Sequence, residues 1–227
     1  MRRARIAAFY LAAAGFAAAA CVAPPIDRLA DRSFAWHMTQ HLAIFYLVSL
    51  LVLRSRPFDL FAELTGKRTT AAFVRVTRNA HWIAQPPAAF AFAVGVLWLS
   101  HFSPLYERSL EWPLVHAVEH LLYLVAGIAF WLPVLAPPPL RPFSYPVRLL
   151  YLALWLPQGA LLGMVLGSAR APLYPHYAAL AGSVSSALAD QRDAAAVMWI
   201  AGGLIVFSAF LLTLAAWAHR EREPVSC

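Results

Sequence analysis

Residues 112–135 read WPLVHAVEHLLYLVAGIAFWLPVL, and Glu119 is the single Asp, Glu, Lys or Arg in that stretch. About 20 apolar residues, rising 1.5 Å each as a helix, cross a hydrocarbon core roughly 30 Å thick. Backbone N–H and C=O groups find no water there, so a run of this kind must close its own hydrogen bonds, as a helix does. The apolar residues follow one another without the alternation of a membrane β-barrel strand. The run stops against Pro137-Pro138-Pro139, which cannot continue a helix.

Outward from this segment, five further runs have the same character, over residues 6–22, 34–53, 82–100, 147–166 and 194–218. The first is alanine-rich and ends at Pro24-Pro25. The third carries Pro86-Pro87 one turn inside its start, and the fifth carries Pro157, which is expected to kink it. Of 227 residues, 61% are apolar and 13% charged, against roughly a quarter charged in soluble domains. The expected fold is all-α: a polytopic membrane helical bundle of about six transmembrane helices forming a single domain over residues 1–227. Tryptophans 36, 82, 98, 112, 131, 199 and 217 fall near span ends, as an interfacial aromatic belt requires.

Lysine and arginine set the orientation. With the N-terminus cytoplasmic, the inner segments hold Arg2, Arg3, Arg5, Arg54, Arg56, Lys67, Arg68, Arg75, Arg78, Arg141, Arg148, Arg220 and Arg222. That is thirteen of the 18 basic residues. The outer segments keep Arg28, Arg32, Arg108, Arg170 and Arg192. Both ends of the chain are therefore expected on the cytoplasmic side. The net charge of +7 then meets anionic lipid headgroups and calls for no nucleic acid. Lys67 to Arg78 alternates basic and apolar residues and is expected on the inner membrane surface. The stretch ending Ala18-Ala19-Ala20-Cys21 also has features of a cleaved signal peptide, but a retained first helix with a small buried cysteine is the preferred reading. Cys227 falls at the opposite face, so no intramolecular disulfide is expected.

This topology gathers six of the eight histidines at or near the outer face: His37, His41, His101, His116, His120 and His176. His37-Met38-Thr39-Gln40-His41 and His116-Ala117-Val118-Glu119-His120 share the spacing His-x3-His. Residues four apart lie about 40° apart around a helix and about 6 Å along it, so each pair occupies one face. Two such pairs at one depth can meet in a bundle core, where facing helices build metal sites. Neutral imidazole ligates copper, zinc and iron, and the Met38 thioether favours Cu(I) among them. Glu119 can serve as a ligand or orient an imidazole. His101 is a fifth candidate ligand. His176 reads as part of an interfacial loop, Asp190 and Asp193 as helix caps, and Met164 and Met198 as packing.

The ordered pieces Pro25-Ile26-Asp27, His37-Met38-Thr39-Gln40-His41, His101-Phe102-Ser103-Pro104-Leu105-Tyr106, His116-Ala117-Val118-Glu119-His120, Phe130-Trp131-Leu132-Pro133, Pro172-Leu173-Tyr174-Pro175-His176-Tyr177, Asp190-Gln191 and Met198-Trp199 together resemble the CtaG family of membrane cytochrome c oxidase assembly factors, named after the caa3-type oxidases. Relative to that pattern the chain starts at what is commonly the second helix, has Leu53-Arg54-Ser55-Arg56-Pro57 after the first histidine helix, and carries Ala194 to Ala196 after Asp-Gln. The resemblance implies a non-enzymatic role in maturing a haem-copper oxidase at the outer face of the bacterial cytoplasmic (inner) membrane. Copper is the implied metal, with oxidase subunits or another copper carrier as partners. His37, His41, His116 and His120 are the implied core ligands, with His101, Met38 and Glu119 assisting. No Walker loop or Gly-x-Ser-x-Gly elbow is present. The competing readings are a metal-free oxidase scaffold, a di-iron membrane oxidoreductase and a haem-binding electron carrier.

Overall fold

The computed structural model describes residues 2–57, 59, 65, 81–137 and 140–222. Among them every regular element is helical: α1 (Arg2–Cys21), α2 (Pro24–Ala30), α3 (Phe34–Arg54), α4 (Pro86–Phe102), α5 (Pro104–Glu111), α6 (Pro113–Leu135), α7 (Tyr145–Gly167), α8 (Pro175–Leu180) and α9 (Val184–Arg222). Helices α3, α6, α7 and α9 are each long and apolar enough to cross a membrane. Two bent pairs raise the number of spans to six when each pair is taken as one: Ile6–Cys21 with α2, turned by 51°, and α4 with α5, turned by 68°. The protein is thus a polytopic helical membrane bundle. The basic segment Lys67 to Arg78, and Cys227, lie outside the described residues.

Proline sets several boundaries. Pro24, Pro86, Pro104 and Pro113 each stand in the first positions of a helix, where the missing N–H has no intrahelical acceptor to lose. Pro86-Pro87 therefore begins α4, whereas the sequence reading started that span at residue 82; residues His81–Ala84 form a separate 3₁₀ turn. Helix α7 runs unbroken past Pro157. Helix α9 starts at Val184, ten residues before the expected start of the last span, because Ser183 caps it by accepting the Ser186 N–H at 3.1 Å.

Helix α3 is the hub. It packs against α1, α2, α6 and α9, and its close approach to α6 depends on Gly127: a Cβ there would fall on the carbonyl oxygen of Phe45. Lipid tails are as apolar as leucine, so close backbone packing and hydrogen bonds, not burial of apolar area, hold helices together in a bilayer. Phe45 lies in a π-helical stretch, Ala43–Val48, inside α3. A π turn leaves the regular carbonyl ladder and frees acceptors. Within this stretch Trp131 donates its indole N–H to the Tyr46 carbonyl at 3.1 Å, and Trp155 donates to the Tyr46 hydroxyl at 2.9 Å. Trp131 is therefore a core residue, 3% exposed, and not part of the aromatic belt. Its indole N–H would be orphaned in lipid and is satisfied here by the Tyr46 carbonyl. Trp36, Trp82, Trp112 and Trp199 are exposed.

Two aromatic cores are stacked along the bundle. The one nearer the middle is built on Phe45, Tyr46, Phe130, Trp131, Tyr151 and Trp155. The other, on Phe34, Met38, Tyr106, Tyr174, Tyr177 and Met198, closes the end of the bundle at which α3, α6 and α9 begin and α4 and α7 end. The histidines sit at that end.

Candidate metal centre

His37 and His41 occupy the first two turns of α3, and His116 and His120 the first two turns of α6. The two pairs face each other, and one ring nitrogen from each of the four lies within 4.8 Å of the others. The His37 and His116 ring centres are 5.0 Å apart, and those of His41 and His120 are 5.3 Å apart. His37 Nε2 stands 3.0 Å from His41 Nε2. For a metal bound to nitrogen at about 2.0 Å with tetrahedral angles, ligand atoms are spaced by about 3.3 Å, so the group fits one ion after small side-chain rotations. His37 and His41 are buried, whereas His116 and His120 are half-buried. The partial exposure of His116 and His120 belongs to the outward parts of those residues, because His116 Nε2 and His120 Nε2 are themselves buried.

The start of α3 is held from outside its own sequence. Ser33 caps it locally, accepting the Trp36 N–H at 3.4 Å. The Asp190 carboxylate, projecting from α9, accepts the Phe34 N–H at 2.6 Å, the Ala35 N–H at 3.3 Å and the Ser33 hydroxyl at 2.6 Å. An anionic acceptor at a helix N-terminus meets unpaired N–H groups and the positive end of the helix dipole. Asp190 is a cap, as its residue type suggests, but of the histidine helix and not of its own. Asp193 is exposed on α9, well past the start of that helix, so it caps nothing there. Gln191, buried beside Asp190, donates to the Leu166 carbonyl at 2.9 Å and accepts the Leu173 N–H at 2.8 Å, tying α9 to the end of α7. Gln40 donates to the Cys21 carbonyl at 2.6 Å and so fixes α3 to the end of α1.

Tyr177 is a functional candidate that the spacing argument passed over. Its side chain is buried, and burial pushes its phenol well above the ordinary tyrosine range. The hydroxyl stays protonated and donates to the Ala30 carbonyl at 2.9 Å. Its lone pairs therefore accept the His37 Nδ1–H at 2.9 Å. This chain places the His37 lone pair on Nε2, the atom that faces His41. A hydrogen bond on one ring nitrogen fixing the other for metal is a recurrent second-layer device. The signal in the sequence was Tyr174-Pro175-His176-Tyr177, read as a loop. His176 lies in the first turn of α8 rather than in a loop, and its contacts are structural: its backbone N–H donates to the Glu107 carboxylate at 2.8 Å and its Nε2 meets the Asp31 carbonyl at 2.9 Å.

The remaining candidates flank the four histidines. Glu119 is fully buried, with Oε2 3.9 Å from His41 Nε2. Both of its oxygens, together with His41 Nδ1, His116 Nε2 and His120 Nε2, are buried without a hydrogen-bond partner. Unpaired buried polar atoms are costly and call for an occupant, and a cluster of imidazole nitrogens beside a carboxylate fits a metal ion. His101 is not one of the four. It meets Met38, whose sulfur lies 3.2 Å from His101 Nε2. Met198 is buried nearby, and Met164 is exposed.

The family model for the cytochrome c oxidase caa3 assembly factor (Caa3_CtaG) matches residues 1–220. Uncharacterized proteins of Mycobacterium bovis and Mycobacterium tuberculosis are each 22% identical over 205 residues, which is 85% of this chain and 31% of the relative. One from Mycobacterium leprae is 21% identical over 202 residues, 84% of this chain and 31% of the relative. The chain thus spans about a third of the length of these curated relatives. No solved structure matches it.

Proposed function

The chain belongs to the cytochrome c oxidase caa3 assembly factor family, and from that premise we propose that it carries copper at its four-histidine centre for delivery to a maturing haem-copper oxidase. The carrying observation is the convergence of His37, His41, His116 and His120, with ligand atoms inside 4.8 Å. The copper is cargo. Neutral imidazoles suit it, and they release it by ligand exchange more readily than a set of thiolates would. An acceptor approaching from the α6 side would meet the half-exposed His116 and His120, whose buried Nε2 atoms must turn outward to hand the ion over. Glu119 offsets the charge of the ion, Tyr177 orients His37, and Asp190 holds the helix that carries both α3 histidines. The site works without catalysis: each residue binds, orients or compensates, and none is needed to make or break a covalent bond.

On this reading the centre sits at the outer face of the bacterial cytoplasmic membrane. The partners are oxidase subunits or another copper carrier, and the lipid bilayer is the solvent. The test is the metal content of detergent-purified protein by mass spectrometry, beside the H37A/H116A double variant. Near-stoichiometric copper in the wild type, lost in the variant, is the expected result. Absence of copper after anaerobic Cu(I) loading overturns the reading in favour of a metal-free scaffold, and two bound irons overturn it in favour of a di-iron enzyme.

A further inference from the structure

We propose that Met38 and His101 form a second metal site, separate from the four-histidine centre, that takes a soft monovalent cation of the Cu(I) class. Helix geometry separates the two. Residues 37 and 41 share a face of α3, whereas residue 38 stands about 100° around the helix from residue 37. Its thioether meets His101 in the last turn of α4, with Sδ 3.2 Å from Nε2.

That contact has no proton to share. His101 Nδ1 lies 2.7 Å from the Leu97 carbonyl, which only accepts, so Nδ1 carries the ring hydrogen and Nε2 presents a lone pair. A thioether sulfur also presents only lone pairs. Two acceptors thus face each other, with Met38 1% and His101 5% exposed, and a cation bound by both from the adjoining cavity removes the conflict: with metal–nitrogen and metal–sulfur distances of about 2.0 and 2.3 Å it sits beside the pair, not on the line between them. Space is present: a cavity of ≈ 40 Å³ is lined by Met38, His41, His101, Tyr123 and Met198 among others. A single water-sized occupant needs only about 10–15 Å³ by this measure. The donors are one imidazole and one thioether, with a second thioether on the wall and no carboxylate lining the cavity. Neutral soft donors of this kind select Cu(I) over zinc or harder divalent ions. His41 lines this cavity while its Nε2 faces His37, so the two sites share a wall.

The proposal stands on different atoms from the four-histidine reading, and one experiment separates them. Full-length protein in detergent is titrated anaerobically with Cu(I), and copper-edge X-ray absorption counts the sulfur ligands. The wild type is expected to bind two equivalents with sulfur scattering. M38L is expected to lose one equivalent and the sulfur signal, while H37A/H116A loses the other equivalent and keeps the sulfur. Selenomethionine-labelled wild type loaded with Ag(I) gives a second readout that requires no variant: selenium–silver scattering is expected at the selenium edge. A single equivalent in the wild type, copper bound with no sulfur scattering, sulfur scattering that survives M38L, or no selenium–silver scattering overturns the second site. An unchanged stoichiometry in H37A/H116A overturns only the four-histidine reading.

Discussion

The carboxylate of Asp190 accepts the backbone N–H of Phe34 at 2.6 Å, joining positions 156 residues apart. The last long helix thereby caps the helix that carries His37 and His41. D190A should lower stability by about 2 kcal/mol, the loss of a charge-assisted cap. It should also weaken metal binding, because the first turn of α3 frays. Thermal unfolding in detergent together with copper titration checks both, and D190N should recover part of each loss through its remaining carbonyl oxygen. Wild-type behaviour of D190A in both measurements would remove Asp190 from the site's support.

Tyr177 holds His37 by its Nδ1–H at 2.9 Å while donating to Ala30. Y177F keeps the ring and loses the hydroxyl. Copper affinity should fall by about 10–100-fold, the usual loss when a ligand's outer hydrogen-bond partner is removed. Tyr106 touches the Tyr177 hydroxyl only at 3.4 Å, so Y106F should bind copper nearly as well as wild type. Equal affinities for Y177F and Y106F would mean that the tautomer of His37 is set elsewhere.

A Cβ at Gly127 would collide with the Phe45 carbonyl, whereas a Cβ at Gly95 meets nothing within 4 Å. G127A should therefore destabilise the protein by about 1–3 kcal/mol, as overpacking does. G95A should leave stability unchanged or raise it by up to about 1 kcal/mol, since alanine is the better helix former. Denaturation curves for the two variants in the same detergent decide the matter. A stable G127A would show that α3 and α6 can separate without cost.

Ser185 is exposed near the start of α9, at the histidine end, and Glu221 is exposed near the other end of that helix. With Cys21 and Cys227 replaced by serine, S185C should react with a membrane-impermeant maleimide on intact cells, and E221C should react only after lysis. This is the pattern expected from the arginine distribution, on which the histidine end is proposed to face outward. The reverse labelling pattern would invert the protein in the membrane and remove the outer-face reading of the site.

The four core histidines were legible in the sequence because a helix converts spacing into direction without help from its neighbours: His-x3-His shares a face wherever the helix lies. Met38 and Glu119 lie beside the histidines in the chain, but spacing does not say what their side chains meet. Met38, about 100° from His37 around α3, turns to His101, while Glu119 lies beside His41. Trp131 misled because tryptophan near a span end suits an interface equally well. Only the packing of α6 against α3 gave its indole a partner inside, the Tyr46 carbonyl.

Length, hydropathy and the positions of arginine and histidine determined by themselves that this chain is a helical membrane bundle with paired histidines. These are properties of single segments facing a solvent with no hydrogen bonds to offer. Which segments meet was decided by the tertiary structure alone. Asp190 capping α3, Tyr177 hydrogen-bonding His37, and the meeting of Met38 with His101 all depend on contacts between residues distant in the chain. Helical periodicity fixes the face a side chain occupies but carries no information about which helix lies across from it.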